Sequence, residues 1–136
     1  MTIYPGLLIS GGDGWIETSF ETSAELIIIH FNGSLELQEL PTLPTGRSGH
    51  TSNGNIICGG EEEYPHLSPS NIPDVCIQLS ENKSSWSVTS HNLKSRRRGH
   101  CSGTYNVGIL LLGGIGDEDD ASGHPLHPTW KAELLR

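Results

Sequence analysis

No apolar run in the sequence approaches the roughly 18 residues that a membrane-spanning helix needs, so no transmembrane segment is predicted. Positive charge is scarce as well, because 8 Lys and Arg stand against 16 Asp and Glu, for a formal net charge of −8. Non-specific nucleic-acid binding and attraction to anionic lipid both need clustered positive charge. We therefore predict neither a nucleic-acid partner nor a membrane partner.

Apolar residues are also few, at 34% of the chain, whereas glycine and proline are abundant, with 17 Gly and 8 Pro in 136 residues. Helical bundles need long apolar stripes and tolerate little glycine, so a bundle is disfavoured. A turn-rich composition instead favours short β-strands. The length allows one domain at most, and the predicted class is all-β.

Signatures of metal binding and of catalysis are missing. Cys58, Cys76 and Cys101 form no Cys-x-x-Cys pair, so no zinc site is predicted. His124 and His127 lie near acidic residues, but nothing in the pattern fixes a ligand geometry between them. The sequence also lacks a Gly-x-Ser-x-Gly nucleophile turn and a phosphate-binding loop. We expect no metal, no cofactor and no enzymatic activity.

The N-terminus does not have the pattern of a secretory leader. Residues 1–5 include no basic residue, and the apolar run that follows stops at Gly11-Gly12. The chain as given is therefore expected in the cytoplasm by default, or else it is a piece of a longer protein.

Comparison of the sequence with itself reveals a repeat with a period of about 50 residues. Three apolar runs each end in a glycine doublet: Gly11-Gly12, Gly59-Gly60 and Gly113-Gly114. An Arg-x-Gly-His element precedes the second and third doublets, with Arg47 and His50 in one copy and Arg97 and His100 in the next. A third apolar element follows each doublet: Ala24–Ile27, Val75–Leu79 and Ala132–Leu135.

Each repeat predicts four strands, labelled a to d. Strand a lies at Gly-His, strand b ends in the doublet, strand c is the third element, and strand d follows it. Strand d covers Leu35–Leu40 in the first repeat and Trp86–Ser90 in the second. Four short strands in a unit of this length are typical of a β-propeller blade, which must stack on neighbours to bury both faces of its sheet.

The doublets, the Arg-x-Gly-His elements and Trp86 together resemble the kelch-repeat family of β-propellers. The resemblance implies blades of four antiparallel strands that commonly serve as protein-binding scaffolds. Glycines after a strand allow positive φ and close backbone approach, and Trp86 offers a large surface to bury between blades. We expect Arg47, His50, Arg97 and His100 to tie blade to blade by hydrogen bonds rather than to take part in chemistry.

The repeat divides the chain, residues 1–136, into a partial propeller. Residues 1–46 form a first blade without its first strand, residues 47–96 a complete second blade, and residues 97–136 a third blade without its last strand. Closed propellers need at least about four blades, so roughly two and a half blades leave the ring incomplete. Three explanations stay open: a fragment, a truncated gene product, or a protomer that completes a ring by self-association.

Acidic residues gather in the b–c loops, which emerge on the same side as the d–a connections because strands alternate in direction. A negative recognition surface for a basic protein partner is one interpretation, and ordinary solvation of loop tips is the other. The candidate binding residues are Asp13, Glu61, Glu62, Glu63, Asp117, Glu118, Asp119 and Asp120. The run Arg96-Arg97-Arg98 lies in the d–a connection and could pair with these loops within the chain.

Two features bear on the compartment. Cys58 ends strand b and Cys76 lies in the neighbouring strand c, and a disulfide forms between them only if they are directly opposed; two buried thiols are the alternative. The sequons Asn32-Gly33-Ser34 and Asn82-Lys83-Ser84 lie in equivalent c–d turns, where Asn is also an ordinary turn residue. A disulfide, together with a leader in a longer parent protein, would make the protein extracellular.

The predicted function is a non-catalytic protein-interaction module that binds through its b–c and d–a loops. The alternative is a portion of a larger extracellular propeller, either galactose-oxidase-like or carbohydrate-binding, whose ligands the remaining blades would complete.

Overall fold

The computed structural model describes residues 6–12, 20–62, 73–116, 127–128 and 132–136. Within these residues the chain forms thirteen β-strands and no helix, so nothing there could cross a membrane as a helix. The strands are β1 Gly6–Ser10, β2 Ala24–Ile29, β3 Leu35–Glu39, β4 Thr51–Asn53, β5 Ile56–Cys58, β6 Val75–Leu79, β7 Trp86–Asn92, β8 Arg97–Arg98, β9 Cys101–Tyr105, β10 Gly108–Leu112, β11 Ile115–Gly116, β12 His127–Pro128 and β13 Ala132–Leu135.

Three antiparallel sheets correspond to the three repeats. Strands β1–β2–β3 form blade 1, β4–β5–β6–β7 form blade 2, and β9–β10–β13 form blade 3. The predicted fourth strands begin at Leu35 and Trp86, and the second extends two residues further than predicted, to Asn92. The all-β class with propeller-type blades is confirmed, and the described residues do not close a ring.

A small fourth sheet, in the order β12–β11–β8, lies outside the blades. It pairs Ile115 with Arg98 and Gly116 with Arg97, directly after the third doublet. Blade 2 has the same contact as a single bridge between Ser48 and Glu61. The segment after each of these two doublets therefore returns to the Arg-x-Gly-His element of its own blade.

The hydrophobic core lies between blades, as the alternation of side chains along a strand requires. Within β5, Ile57 points into one cluster, while Cys58 and Ile56 point into the other. The cluster between blades 1 and 2 contains Ala24, Leu40, Leu43, Ile57, Ile77 and Leu79, with Leu8, Leu26 and Trp86 against it. The cluster between blades 2 and 3 contains Cys58, Cys76, Leu93, Ile109, Leu111 and Leu135.

The outer face of blade 1 is apolar and is not covered within the described residues. Leu7 and Leu37 lie in one row across the sheet, and Ile29 and Leu35 in the next. All four side chains are exposed. Leu8, on the other face, packs against blade 2. This is the uncovered blade face that the predicted incomplete ring leaves.

Candidate functional site

The glycine doublets form the backbone contact between successive blades. Gly12 N donates to the carbonyl of Arg47 at 2.8 Å, and Gly60 N donates to the carbonyl of Arg97 at 2.9 Å. In each case the doublet of one blade binds the Arg-x-Gly-His element of the next. The same residue types are thus used twice, once at each junction.

The first glycine of the doublet lies so close to the next blade that there is no room for a side chain. Gly59 has a φ of 69°, which L-residues with a side chain rarely adopt. A Cβ atom on Gly59 would lie 2.5 Å from the Arg97 carbonyl oxygen and 2.5 Å from Cε1 of His100. Gly11 has the equivalent contacts with Arg47 and His50. All six glycines of the doublets have positive φ: Gly11, Gly12, Gly59, Gly60, Gly113 and Gly114.

The two arginine side chains are buried and bind within their own blade. Arg47 Nη1 donates to the carbonyl of Gly59 at 3.2 Å, and its Nη2 contacts the carboxylate of Glu62. Arg97 Nη1 donates to the carbonyl of Gly113 at 3.1 Å. The expectation that the arginines link blade to blade is therefore wrong for their guanidinium groups. The arginine backbone makes that link, whereas Nη1 of each side chain donates to the doublet of its own repeat.

Two carboxylates complete these arginine sites, and neither was predicted to have this role. Glu133, 8% exposed, contacts Lys94 N and lies 3.4 Å from Arg97 Nη2. Glu62 has the corresponding role for Arg47. Burial lowers the pKa of the Arg47 guanidinium, and the charge and hydrogen bond of Glu62 oppose that change. The tripeptide Ala-Glu-Leu recurs in the third element of the first and third repeats, and this recurrence is the sequence signal from which Glu133 could have been found.

The two histidines do link blade to blade. His50 Nε2 and Ser10 Oγ are hydrogen-bonded at 2.9 Å, from blade 2 to blade 1. His100 Nε2 and Thr51 Oγ1 are hydrogen-bonded at 2.8 Å, from blade 3 to blade 2. In the part of the chain that the structure describes, neither ring has a hydrogen-bond partner for Nδ1.

Both rings are held in the neutral form. Burial, followed by the positive charge of Arg47, lowers the pKa of His50 from 6.5 to about 4. Burial, followed by the charges of Arg97 and His50, lowers the pKa of His100 to about 4. Protonation would also add an N–H group at Nδ1 that has no acceptor among the described residues.

Acid is expected to weaken the blade junctions. Because the pKa of each folded ring lies below its unfolded value, the unfolded chain binds more protons between pH 6.5 and pH 4. The stability due to the neutral rings is therefore complete above pH 6.5 and is lost as the pH falls toward 4. From pH 7 to pH 5 we expect a loss of about 2 kcal/mol per histidine, measured by urea unfolding.

Substitution of the histidines separates this effect from general acid denaturation. The double variant His50→Gln/His100→Gln is expected to flatten the dependence of unfolding free energy on pH between 7 and 5. The matched control is His30→Gln, since the His30 side chain is exposed and its hydrogen bond among the described residues is to Glu36. An unchanged slope in the double variant would contradict the assignment.

The candidate binding carboxylates of the b–c loops divide into two groups. Glu61 is 3% exposed and pairs with Arg98 of the next blade, and Glu62 pairs with Arg47. The expectation that Glu61 lies on a solvent-facing loop is therefore wrong, because the arginine of the neighbouring blade covers it. The other candidates lie outside the described residues: Asp13, Glu63, Asp117, Glu118, Asp119 and Asp120.

The arginine run does pair with the acidic loops within the chain, as predicted. Arg98 forms its ion pair with Glu61, and Arg96 Nη2 lies 3.9 Å from a carboxylate oxygen of Asp74, at the end of the second b–c loop. Positive charge in the d–a connection thus offsets part of the negative charge on the same side of the blades.

Trp86 and the two disulfide-bonded cysteines lie between blades. Trp86 Nε1 donates to the carbonyl of Pro41 at 2.8 Å, joining blade 2 to the end of blade 1. Cys58 and Cys76 are directly opposed in β5 and β6, with Cα atoms 4.3 Å apart, and form a disulfide. Both are buried against blade 3. Cys101 is a free, exposed thiol.

The other blades have no cysteine at the positions of the disulfide. The residue before the doublet pairs with the first residue of the third element: Ser10 with Ala24 in blade 1, and Leu112 with Ala132 in blade 3. The cross-link is therefore particular to blade 2. A disulfide at this position favours an oxidising compartment.

Among the described residues, no group of three or more His, Cys, Asp or Glu side chains could hold a metal ion. His124 and the acidic run at 117–120 lie outside that part of the chain.

No protein-family model matches the sequence, and no curated protein sequence is significantly similar to it. Solved structures do resemble the fold. A fungal alcohol oxidase of the AA5 family, in complex with copper, superimposes on 96% of this chain with a TM-score of 0.65 and 12% sequence identity. The structure of YjhT superimposes on 83% of this chain with a TM-score of 0.58 and 14% identity.

This chain spans 28% of the alcohol oxidase chain and 34% of the YjhT chain. Together with the sheets described above, these two similarities define an all-β fold of propeller-type blades. At such low identity they show the fold alone.

Proposed function

We propose that the chain is a non-catalytic protein-interaction scaffold built from kelch-type repeats, with its binding surface on the b–c and d–a loops. The observation that carries this proposal is the use of the buried polar side chains. Arg47 and Arg97 hold the glycine doublets, and His50 and His100 join the blades. These groups serve the scaffold, which leaves recognition to the loops that the scaffold presents.

The partner is a basic protein. The chain has a net charge of −8, and Glu61 and Glu62 are already neutralised by arginines. The carboxylates for recognition are therefore the other six: Asp13, Glu63, Asp117, Glu118, Asp119 and Asp120. Complementary charge at a loop rim mainly steers association and sets specificity.

A decalysine peptide is a suitable probe for this surface. Replacing three loop carboxylates, in Asp117→Asn/Asp119→Asn/Asp120→Asn, should weaken its binding about tenfold, because three exposed ion pairs contribute about 0.5 kcal/mol each. Isothermal titration calorimetry would measure this. Binding should also fall steeply between about 50 mM and about 500 mM NaCl, where the Debye length shrinks from roughly 14 Å to roughly 4 Å.

The control variant changes the net charge by the same three units at the opposite end of the blades. Glu36→Gln/Glu81→Gln/Val107→Lys alters exposed residues near the c–d turns of blades 1 and 2 and in the turn between β9 and β10, away from the b–c and d–a loops. It should bind decalysine within about twofold of the unmodified chain, since charges beyond a Debye length are screened. Equal weakening by both triple variants, or binding that is insensitive to salt, would refute recognition through the b–c loops.

A second candidate is a portion of a larger extracellular propeller enzyme. The disulfide favours a secreted protein, and a copper-bound alcohol oxidase superimposes on 96% of this chain. Stoichiometric copper in the full-length parent protein, measured by elemental mass spectrometry, would favour this candidate over the scaffold.

A further inference from the structure

Two turns of equivalent position contain the same Asn-x-Ser pattern. Asn32-Gly33-Ser34 lies between β2 and β3 of blade 1, and Asn82-Lys83-Ser84 lies between β6 and β7 of blade 2. The two asparagines and the two serines are all exposed. The central residues have left-handed backbones, with a φ of 82° at Gly33 and 57° at Lys83. No other Asn-x-Ser or Asn-x-Thr tripeptide occurs in the sequence.

Each asparagine uses only its carbonyl oxygen to hold its turn. Asn32 Oδ1 accepts from Ser34 N at 2.9 Å and from Ser34 Oγ at 2.6 Å. Asn82 Oδ1 accepts from Ser84 N at 3.2 Å and from Ser84 Oγ at 2.7 Å. Neither Nδ2 donates a hydrogen bond to another described residue. A substituent on Nδ2 would therefore leave the contacts of the turn in place.

We propose that Asn32 and Asn82 are both N-glycosylated, a modification that goes beyond the proposed scaffold function. The donor is a lipid diphosphate-linked oligosaccharide. Nδ2 forms a bond to the anomeric carbon of the first sugar, the bond from that carbon to the phosphate oxygen breaks, and the lipid diphosphate leaves. The amide nitrogen loses one proton in the exchange, and no atom changes oxidation state.

The compartment and the geometry both suit this modification. The Cys58–Cys76 disulfide belongs in the same oxidising, secretory environment in which sequons are modified. Strands alternate in direction, so the c–d turns lie at the opposite end of the blades from the b–c loops. Two glycans would cover the c–d end and leave the proposed binding surface free.

The test is to express the full chain behind a cleavable secretory leader in mammalian cells and to treat it with peptide N-glycosidase F. Lysate and medium are both analysed, so the result does not depend on secretion. Intact mass should show two glycans, and the enzyme should leave Asp at positions 32 and 82, read by tandem mass spectrometry. Chain made in bacterial cytoplasm supplies the unmodified reference mass.

Substitution by aspartate separates glycosylation from the role of the turn, because Asp retains the oxygen that accepts from Ser34 or Ser84. Asn32→Asp and Asn82→Asp should each remove one glycan, and the double variant both. Asn106→Asp is the matched control, since Asn106 is an exposed turn residue with a φ of 53° outside any sequon. Absence of enzyme-sensitive mass in lysate and medium overturns the proposal, and modification of one site alone overturns it for the other.

Discussion

The variant Gly59→Ala is expected to lower the free energy of unfolding by about 2–5 kcal/mol. Alanine at a φ of 69° costs about 1–2 kcal/mol, because its Cβ crowds the following carbonyl. Its Cβ would also lie 2.5 Å from the Arg97 carbonyl oxygen and from the His100 ring. Separating these groups moves blade 3 away from blade 2, and such overpacking costs about 1–3 kcal/mol.

Gly54→Ala is the control for Gly59→Ala, because it has the same backbone cost without the contact. Gly54 lies in the turn between β4 and β5 with a φ of 62°, and nothing lies within 4 Å of the position of its Cβ. We expect this variant to lose only the backbone term of about 1–2 kcal/mol. Urea unfolding followed by tryptophan fluorescence measures both variants. Equal destabilisation would show that close approach between blades contributes nothing at Gly59.

The variant Arg97→Met is expected to destabilise the chain by about 3–5 kcal/mol, because it leaves the buried carboxylate of Glu133 without its guanidinium. Arg97 is 1% exposed and also donates to the carbonyls of Gly113 and Ser95. Methionine occupies a similar volume, so the loss reports the charge and hydrogen bonds rather than a cavity. The same urea titration measures it.

Neutralising the carboxylate should recover part of that loss. Arg97→Met/Glu133→Gln is expected to be more stable than Arg97→Met alone, because Gln keeps an acceptor oxygen near Lys94 N without a buried charge. Arg96→Met is the control, since Arg96 is about one-third exposed and its 3.9 Å ion pair with Asp74 is worth at most about 1 kcal/mol. A double variant no more stable than Arg97→Met would show that the two side chains act independently.

The repeat in the sequence predicted the order of the blade strands, because a strand ending in a glycine doublet is a local pattern. It also placed Cys58 and Cys76 in neighbouring strands, but the register that opposes them depends on pairing across a loop of variable length. The burial of Glu61 could not be predicted in the same way. It depends on Arg98, which approaches from the next blade, and charge patterning alone cannot distinguish a buried acid from a solvated one.

Glu133 was predictable in principle, since the Ala-Glu-Leu element recurs in the first and third repeats. Blade 2 obscured the pattern, because Ile77 takes the equivalent place and Glu62 supplies the carboxylate from the loop instead. The two-residue strands β8, β11 and β12 have no sequence signature of their own. They form where the chain after a doublet meets the Arg-x-Gly-His element.

The disulfide limits how these repeats can be exchanged by recombination. In blade 1, Ser10 precedes the doublet and supplies the hydroxyl for the next histidine. In blade 2 that position is Cys58, and Thr51, which pairs with it across the sheet, supplies the hydroxyl to His100. If recombination replaced Cys58 with the serine of blade 1 and left the other two positions unchanged, Cys76 would become an unpaired thiol. The serine and Thr51 would then both offer a hydroxyl to His100. Thr51, Cys58 and Cys76 lie in three neighbouring strands, so an exchange between repeats keeps both the cross-link and the histidine contact only if all three positions move together.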